Sequence, residues 1–260
     1  MRTAGVSATS VSIVVPVLNE AAMVEAALVR LGRDFGQCEL VVVDGGSTDG
    51  TRRLAEALAT VVSSPPGRAA QMNAGAAATR GDVLWFVHAD TVIDPRAVTQ
   101  IRQALSDPAV VGGGLSLRFD RRGAGLGLLA RASNGRARLW HQIFGDQAMF
   151  VRRSVFDALG GFPALSLMED LEMSRRLHAR GRLVLLPATS TASARRFTEH
   201  GTWQMVAFMQ YLKLLYVAGV PAEGIRRRYE AGPPHLPRPH PRGWRATPGT
   251  GGGDERCQAS

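Results

Sequence analysis

Three carboxylates stand directly after the three most apolar runs of this 260-residue chain. Glu20 closes Pro16-Val17-Leu18-Asn19-Glu20, Asp44 opens Asp44-Gly45-Gly46-Ser47-Thr48-Asp49, and Asp90 ends His88-Ala89-Asp90. Acids gathered at one rim repel one another unless a divalent cation or the donor groups of a ligand offset the charge. Each alone reads equally as a helix N-terminal carboxylate favoured by the helix dipole. Three at consecutive strand ends favour a shared site. Further on, Met168-Glu169-Asp170 sets two adjacent acids at the start of a helical segment. They point about 100° apart, so one of them can face a substrate and take its proton; two ordinary first-turn acids is the competing reading. Glu172, with Arg175 and Arg176 at i+3 and i+4, reads as a structural ion pair.

Hydrophobic periods give the elements that must carry these residues. Residues 12–17, 40–43 and 83–87 are β-branched or apolar runs of the kind buried on both faces of a sheet. Helices are predicted from a cap at Asn19 to about Leu31, through Met23, Ala26, Ala27, Val29 and Arg30, and from a cap at Ser47 or Thr48 to about Ala59. A third covers 68–79, after a short strand at 61–62 and the turn Ser64-Pro65-Pro66-Gly67. This alternation is an α/β pattern with a parallel sheet, in which ligands sit beyond the carboxyl ends of the strands. Residues 110–119, with Gly112-Gly113-Gly114, read as an exposed or edge strand. Strands at 147–151 and 183–186 and helices at 167–179 and 200–217 follow. Four segments are expected: an N-terminal extension (1–10), a first half (11–110), a second half (111–230) and a disordered Pro/Gly/Arg-rich tail (231–260).

Composition excludes several classes. The 31 basic against 22 acidic residues leave +9, but Lys213 is the one lysine, and the arginines lack the mixed, clustered stripe of a nucleic-acid surface. No P-loop, no G-x-G-x-x-G after the first strand, no G-x-S-x-G elbow and no HExxH is present. Cys38 and Cys257 cannot make a disulfide framework or a structural zinc site, which predicts a reducing compartment. Pro16 and the missing cleavage site argue against a signal peptide, and no apolar stretch is long enough for a spanning helix. Residues 205–220 read as a core helix or a surface-docking amphipathic one. What remains is a nucleotide site that reads base and ribose with carboxylates and holds a diphosphate through a metal.

Eight segments together resemble the small inverting family 2 glycosyltransferases with the GT-A fold. They are Val15-Pro16-Val17-Leu18-Asn19-Glu20, Val43-Asp44-Gly45-Gly46-Ser47-Thr48-Asp49-Gly50-Thr51, Gly67-Arg68-Ala69-Ala70-Gln71-Met72-Asn73-Ala74-Gly75 and His88-Ala89-Asp90-Thr91. Gly145-Asp146-Gln147, Gly160-Gly161-Phe162-Pro163, Met168-Glu169-Asp170-Leu171-Glu172 and Ser193-Ala194-Arg195-Arg196-Phe197 complete the set. Within the family the sequence is most similar to a compact bacterial subgroup that includes enzymes proposed to glycosylate apocarotenoid acids. The resemblance implies a Rossmann-like, mostly parallel sheet with helices on both faces, residues 11–110 forming a nucleotide-sugar half and 111–230 a mixed acceptor-side half.

Residue roles carry over from the same resemblance. Pro16, Asn19 and Glu20 would lie by the ribose and base, and Asp44 on the base edge, where accepting from a uracil N–H favours a UDP-sugar. Gly45 and Ser47 belong to that pocket; Asp49 is equally a first-turn acid. Arg68 would approach the diphosphate, with Asn73 and Gly75 shaping the wall. His88-Ala89-Asp90 stands where the family has D-x-D. Asp90 would be the oxygen ligand of Mn²⁺ or Mg²⁺, while His88, in place of the first acid, would be a ligand suited to Mn²⁺, bond a ribose hydroxyl, or be a satisfied strand-end histidine. His200 would complete the metal site. Asp170 is the expected base, with Glu169 the alternate; an acceptor carboxylic acid would already be ionised and leave Asp170 a positioning role. Asp146 and Gln147 would line the acceptor side, Trp140 and His141 border that groove or pack a helix, and Arg195 and Arg196 close over the diphosphate or form a solvated pair.

The expected activity is therefore metal-assisted, inverting transfer of a hexosyl group from a nucleoside-diphosphate sugar to a lipid-like or polyene acceptor. The expected setting is the cytoplasm, with peripheral contact at the inner membrane face through residues 205–220 and Arg226-Arg227-Arg228. Two rivals remain. A nucleotidyltransferase would want a Gly-rich turn where Val17-Leu18-Asn19-Glu20 stands. A non-catalytic scaffold draws on His88 and the 205–220 helix.

Overall fold

The structure, a computed structural model, describes residues 9–233 apart from 196 and 198–200. Most of the N-terminal extension, Arg196, His200 and nearly all of the tail therefore lie outside the described residues.

Strands β1 (Val11–Val17), β2 (Glu39–Asp44), β3 (Thr60–Ser63) and β4 (Val83–Phe86) run parallel, as their buried apolar runs predict. β5 (Thr91–Ile93), β6 (Val110–Phe119), β7 (Phe150–Arg152) and β8 (Arg182–Ala192) extend the sheet in the order β3-β2-β1-β4-β7-β6-β8-β5. β7 is antiparallel to β4 and β6, β6 is parallel to β8, and β5 closes the far edge antiparallel. The sheet is thus mixed beyond β4 and continuous across both expected halves.

Alternation along β1 explains the layers. Val11, Ile13, Val15 and Val17 face one core with α1 (Ala21–Phe35) and α4 (Ala97–Ala104), and Val14 faces another with α3 (Arg68–Ala78), α6 (Arg153–Ala158) and α7 (Glu169–His178). A third cluster joins α8 (Thr202–Val217) and α9 (Ala222–Ala231) to Met168 and Leu171. α2 (Thr51–Glu56) and α5 (Ala124–Trp140) complete the helices among the described residues.

Several expectations are corrected. α1 continues to Phe35 and buries Val24, Ala27, Leu28 and Leu31, leaving Val29 exposed. α2 starts at Thr51 after Gly50 and is shorter than expected. β6 is an inner strand, not an edge. A Cβ at Gly112 would lie 2.5 Å from the Phe150 carbonyl oxygen, and one at Gly114 2.6 Å from Ile143 Cγ2, so the glycine run permits close approach and does not mark exposure. β7 begins at Phe150, because Gln147 belongs to a 3₁₀ turn (Gly145–Gln147). β8 runs six residues beyond Leu186.

The Arg152-Arg153 pair is spent internally. The Arg152 guanidinium donates to the carbonyls of Leu105, Asp107 and Val110, and that of Arg153 to Gly81 and Ala76 carbonyls and Thr79 Oγ1. These charge-assisted bonds tie acceptors at helix ends and loops to β7 and α6.

Candidate active site

β2, β1 and β4 are neighbouring parallel strands, so their carboxyl ends share one rim and bring Asp44, Glu20 and Asp90 to it. The three differ in exposure. Asp44 is 3% exposed and accepts the backbone N–H groups of Gly46 and Ser47, Glu20 is half-buried, and Asp90 is exposed.

The two loops at this rim are laced together. Asn19 adopts φ 56° and its Oδ1 accepts the Thr48 N–H, while Ser47 Oγ accepts the Asn19 N–H. Thr51 Oγ1 accepts from the Glu20 N–H and donates to Asp49, which also accepts the Ala21 N–H. These contacts correct the expected caps. Glu20, not Asn19, is the N-cap residue of α1, and Ser47 and Thr48 cap nothing because their atoms serve Asn19. Asp49, open between pocket and helix, ties the starts of α1 and α2. Pro16 is buried in β1 opposite Val43, beyond the last β4 pairing at Val14.

Gln71, quoted above only within its segment, holds the rim from beneath. Its Nε2 donates to the carbonyls of both Val17 and Val43, and its side chain fills the space where a Gly45 Cβ would lie. Asn73 acts as a backbone mimic: its amide donates to the Phe162 carbonyl and accepts the Phe162 N–H, strapping the Gly160-Gly161 turn to α3. Both side-chain polar atoms of Asn73 are thus committed to the Phe162 backbone, and Gly75 lets α3 meet Val14 and Val43.

A small recess follows, lined by His88, Gly145, Glu169 and Asp170 with Met72, Phe86, Met149 and Phe162. α7 starts at Glu169 after Met168 in the left-handed region (φ 69°), which places both acids in the first turn. The Asp170 carboxylate accepts the Gly145 N–H at 2.8 Å and the Leu171 N–H at 2.7 Å, and so is fixed facing Gly145. Glu169 is 4% exposed. Burial, and then the neighbouring Asp170 charge, push its pKa up to about 7 against the opposing Arg68 cation. The His88 pKa is pushed down to about 4, first by burial and then by Arg68, with Asp90 opposing, so its imidazole is neutral near pH 7. Arg68 is exposed at the start of α3, with its charge felt by His88, Glu169 and Asp146.

A carboxyl that holds its proton more tightly when folded loses stability for the fold as pH rises from the unfolded pKa to the folded one. Glu169 does so between about 4.5 and about 7. Glu169→Gln is therefore expected to gain thermal stability over the native chain progressively across that window. The gain should reach up to about 3 kcal/mol by pH 8, read from paired melts at pH 5 and pH 8.

The residues expected on the acceptor side divide. Gln147 is wholly buried: its Oε1 accepts from Phe144 N–H and Arg136, and its Nε2 faces Asn134. It supports the turn and does not reach a groove, which corrects the expectation of substrate contact. Asp146 is partly buried, and burial raises its pKa to about 6, against Arg136 and with Asp170. His141 stacks on His178 at 4.6 Å, whereas Trp140 is exposed. Arg195 is exposed. Glu172 pairs with Arg175 and Arg176 as expected. Arg136, Phe144 and Lys213, which flank Asp146, carry no local sequence signal; only their spatial convergence reveals them.

Residues 12–160 match the family described as glycosyl transferase family 2. A probable glycosyltransferase of Bacillus subtilis, YdaM, is 26% identical over 210 residues, 70% of this chain; the chain spans half the length of that relative. The succinoglycan biosynthesis protein ExoA of Rhizobium meliloti is 46% identical over 56 residues, covering 21% of this chain and 17% of ExoA. Among solved structures, the mannosyltransferase PcManGT of Pyrobaculum calidifontis, in complex with GDP-Man and Mn²⁺, superposes with a TM-score of 0.62 at 22% identity, covering 80% of this chain and 63% of that one. Glucosyl-3-phosphoglycerate synthase of Mycobacterium tuberculosis, with Mn²⁺, UDP and glucosyl-3-phosphoglycerate, gives 0.57 at 23%, covering 83% and 82%. With over half its length in the family match and an α/β sheet like that of these glycosyltransferases, the chain belongs to glycosyl transferase family 2.

Proposed function

We propose that this protein transfers a hexosyl group, with inversion, from a nucleoside-diphosphate sugar, UDP-linked by preference, to a lipid-like or polyene acceptor. The observation that carries the reading is Asp170, held by the Gly145 N–H inside a recess that also contains His88, at the carboxyl end of the parallel strands. The kinship with apocarotenoid-acid glycosyltransferases rests on the sequence motifs.

The nucleoside would rest on the laced loops carrying Asn19, Glu20 and Ser47, over a floor that Gln71 keeps rigid. Arg68 would supply positive charge to the diphosphate, and the resemblance adds Arg195 to that role. A divalent ion fits what is present: an exposed Asp90 carboxylate and a neutral His88 imidazole are both competent ligands. Among the described residues no third His, Cys, Asp or Glu joins them, so phosphate oxygens and water would complete the shell. Mn²⁺ or Mg²⁺ there would neutralise charge on the leaving diphosphate. Asp170 takes the acceptor proton as the acceptor oxygen attacks opposite the leaving group; its free lone pairs remain available beside the Gly145 bond. Glu169, its pKa pushed up to about 7, holds its proton more tightly than a free carboxyl and so limits repulsion beside it.

Saturating UDP with Mn²⁺, at about 100 times Kd, is expected to stabilise the fold by about 2.7 kcal/mol. Asp90→Ala should remove the metal-dependent part. If no nucleoside diphosphate with Mn²⁺ or Mg²⁺ moves the melting temperature, the scaffold reading gains and the transferase reading fails.

Cytoplasmic membrane contact belongs to the same proposal. No helix among the described residues is long and apolar enough to cross a membrane. α8 exposes Trp203, Tyr211, Leu214 and Val217 along one stripe, with Arg226, Arg227 and Arg228 exposed on neighbouring α9. Cosedimentation with anionic vesicles, weakened by raised salt and by Leu214→Glu, is the expected result; equal recovery with and without vesicles removes the contact.

A further inference from the structure

The Gly145 N–H that fixes Asp170 belongs to a turn held from several sides. Gln147 Oε1 accepts from the Phe144 N–H and from Arg136, and Ser190 Oγ on β8 donates to the Asp146 carbonyl at 2.7 Å. The remaining hold is on the Phe144 ring. Arg136 on α5 and Lys213 on α8 both stand over it, at 3.5 Å for the guanidinium carbon and 4.5 Å for the ammonium nitrogen. Phe144 directly precedes Gly145, so whatever sets this ring also sets the peptide group whose N–H reaches Asp170.

Lys213 is the one lysine of the chain and the one charged residue of α8, set between the buried Leu212 and the exposed Leu214. Burial, and then Arg136, push its pKa down to about 8, against the pull of Asp146 on the 3₁₀ turn and Asp170 on α7. Among the described residues these three are the charged groups that bear on it, one from each element facing it. Packing alone does not call for such a residue. Methionine would fill the same space without the cost of enclosing an ammonium beside a guanidinium. What the charge adds is attraction to the face of the Phe144 ring, which strengthens where water is excluded. Asp146 and Asp170 supply the counter-charge across the turn, so the proposed base is itself part of the compensation.

We propose that Lys213, together with Arg136, is a positioning residue for the transfer: its charge holds the Phe144 ring so that the Gly145 N–H keeps the Asp170 carboxylate aimed into the recess. This rests on the transferase reading and adds α8 to the elements that prepare the base. Lys213 touches no reacting atom. Its effect travels through one ring and one peptide group, and it lasts only while the ammonium keeps its proton. As pH rises through about 8 the proton leaves and the hold on the ring weakens.

Turnover is read as hydrolysis of whichever of UDP-glucose, UDP-N-acetylglucosamine and GDP-mannose the native protein cleaves fastest with Mn²⁺, across the neutral and alkaline range. Native turnover should fall above about pH 8. Lys213→Met should slow it by about 10–100-fold at neutral pH with donor KM little changed, the scale expected when catalytic groups move by about 1 Å. Lys213→Arg, whose cation keeps its proton throughout, should restore most of the rate and abolish the alkaline fall. A second readout needs no turnover. Reductive ¹³C-methylation labels Lys213 and the chain's amino terminus, and the Lys213 signal should be displaced by the Phe144 ring current. Asp170→Asn, by removing a counter-charge, should lower its titration midpoint. Native turnover in Lys213→Met overturns the proposal. So does Lys213→Arg failing as Lys213→Met does, or a Lys213 midpoint indifferent to Asp170→Asn. A failed transferase reading shows elsewhere, as the missing thermal response to nucleotide and Mn²⁺, and the titration still decides whether Lys213 and Asp170 are linked.

Discussion

Asp170→Asn is expected to slow sugar transfer by about 10²–10⁴-fold while leaving the UDP-dependent thermal shift in place. The substitution preserves shape, and the amide oxygen can still accept the Gly145 N–H that fixes the native carboxylate. What is lost is the basic oxygen that receives the acceptor proton. Turnover should therefore fall with little change in donor KM, since Asp170 contributes nothing to the nucleoside rim. Glu169→Gln is the informative partner. Glu169 is buried and its pKa is pushed up to about 7, so much of it already carries a proton at neutral pH and its amide should transfer at close to the native rate. A reversed pattern, with Asp170→Asn active and Glu169→Gln inactive, would move the base by one residue.

Gly145→Ala should be nearly as damaging, by a different route. A Cβ at this position would lie 2.8 Å from His88 Nε2 and 3.6 Å from Asp170 Oδ2. The first separation is too short to survive, so His88 or the 3₁₀ turn must move. Displacing catalytic groups by about 1 Å costs on the order of 10²-fold in rate. The fold itself should tolerate the change to within about 1 kcal/mol, because the imidazole sits at the edge of a recess rather than in the sheet core. Turnover and melting temperature measured together check both halves of this expectation. A variant with native turnover would locate the reacting atoms away from His88 and Asp170.

The elements that sequence makes legible are those whose physics is local. Residues 12–17, 40–43 and 83–87 are too apolar to be anything but inner strands, and that fixes which rim receives Glu20, Asp44 and Asp90. What sequence hides is set by neighbours far along the chain. Glycines dilute the helical period of α5, although Gly125 lies against Thr202 of α8. The glycines of β6 look like an exposed edge until Phe150 and Ile143 are seen pressing on them. Gln147 looks like a contact residue because it follows Asp146, yet its amide is consumed by Phe144, Arg136 and Asn134. Lys213 interrupts an apolar helix and reads locally as a blemish; only the fold brings it over Phe144.

The twin arginines of β7 and α6 bear on how the molecule comes apart. Arg152 grips Leu105, Asp107 and Val110, on the approach to β6, while Arg153 grips Ala76, Thr79 and Gly81 at the far end of α3. A strand and helix that follow residue 110 thus hold the termini of two segments that precede it. Heating should melt both in a single calorimetric transition, and severing the backbone near residue 110 should liberate no autonomously folded fragment. Any motion that admits sugar and acceptor must then come from the surface loops and the α8–α9 pair, with no jaw-like opening between halves.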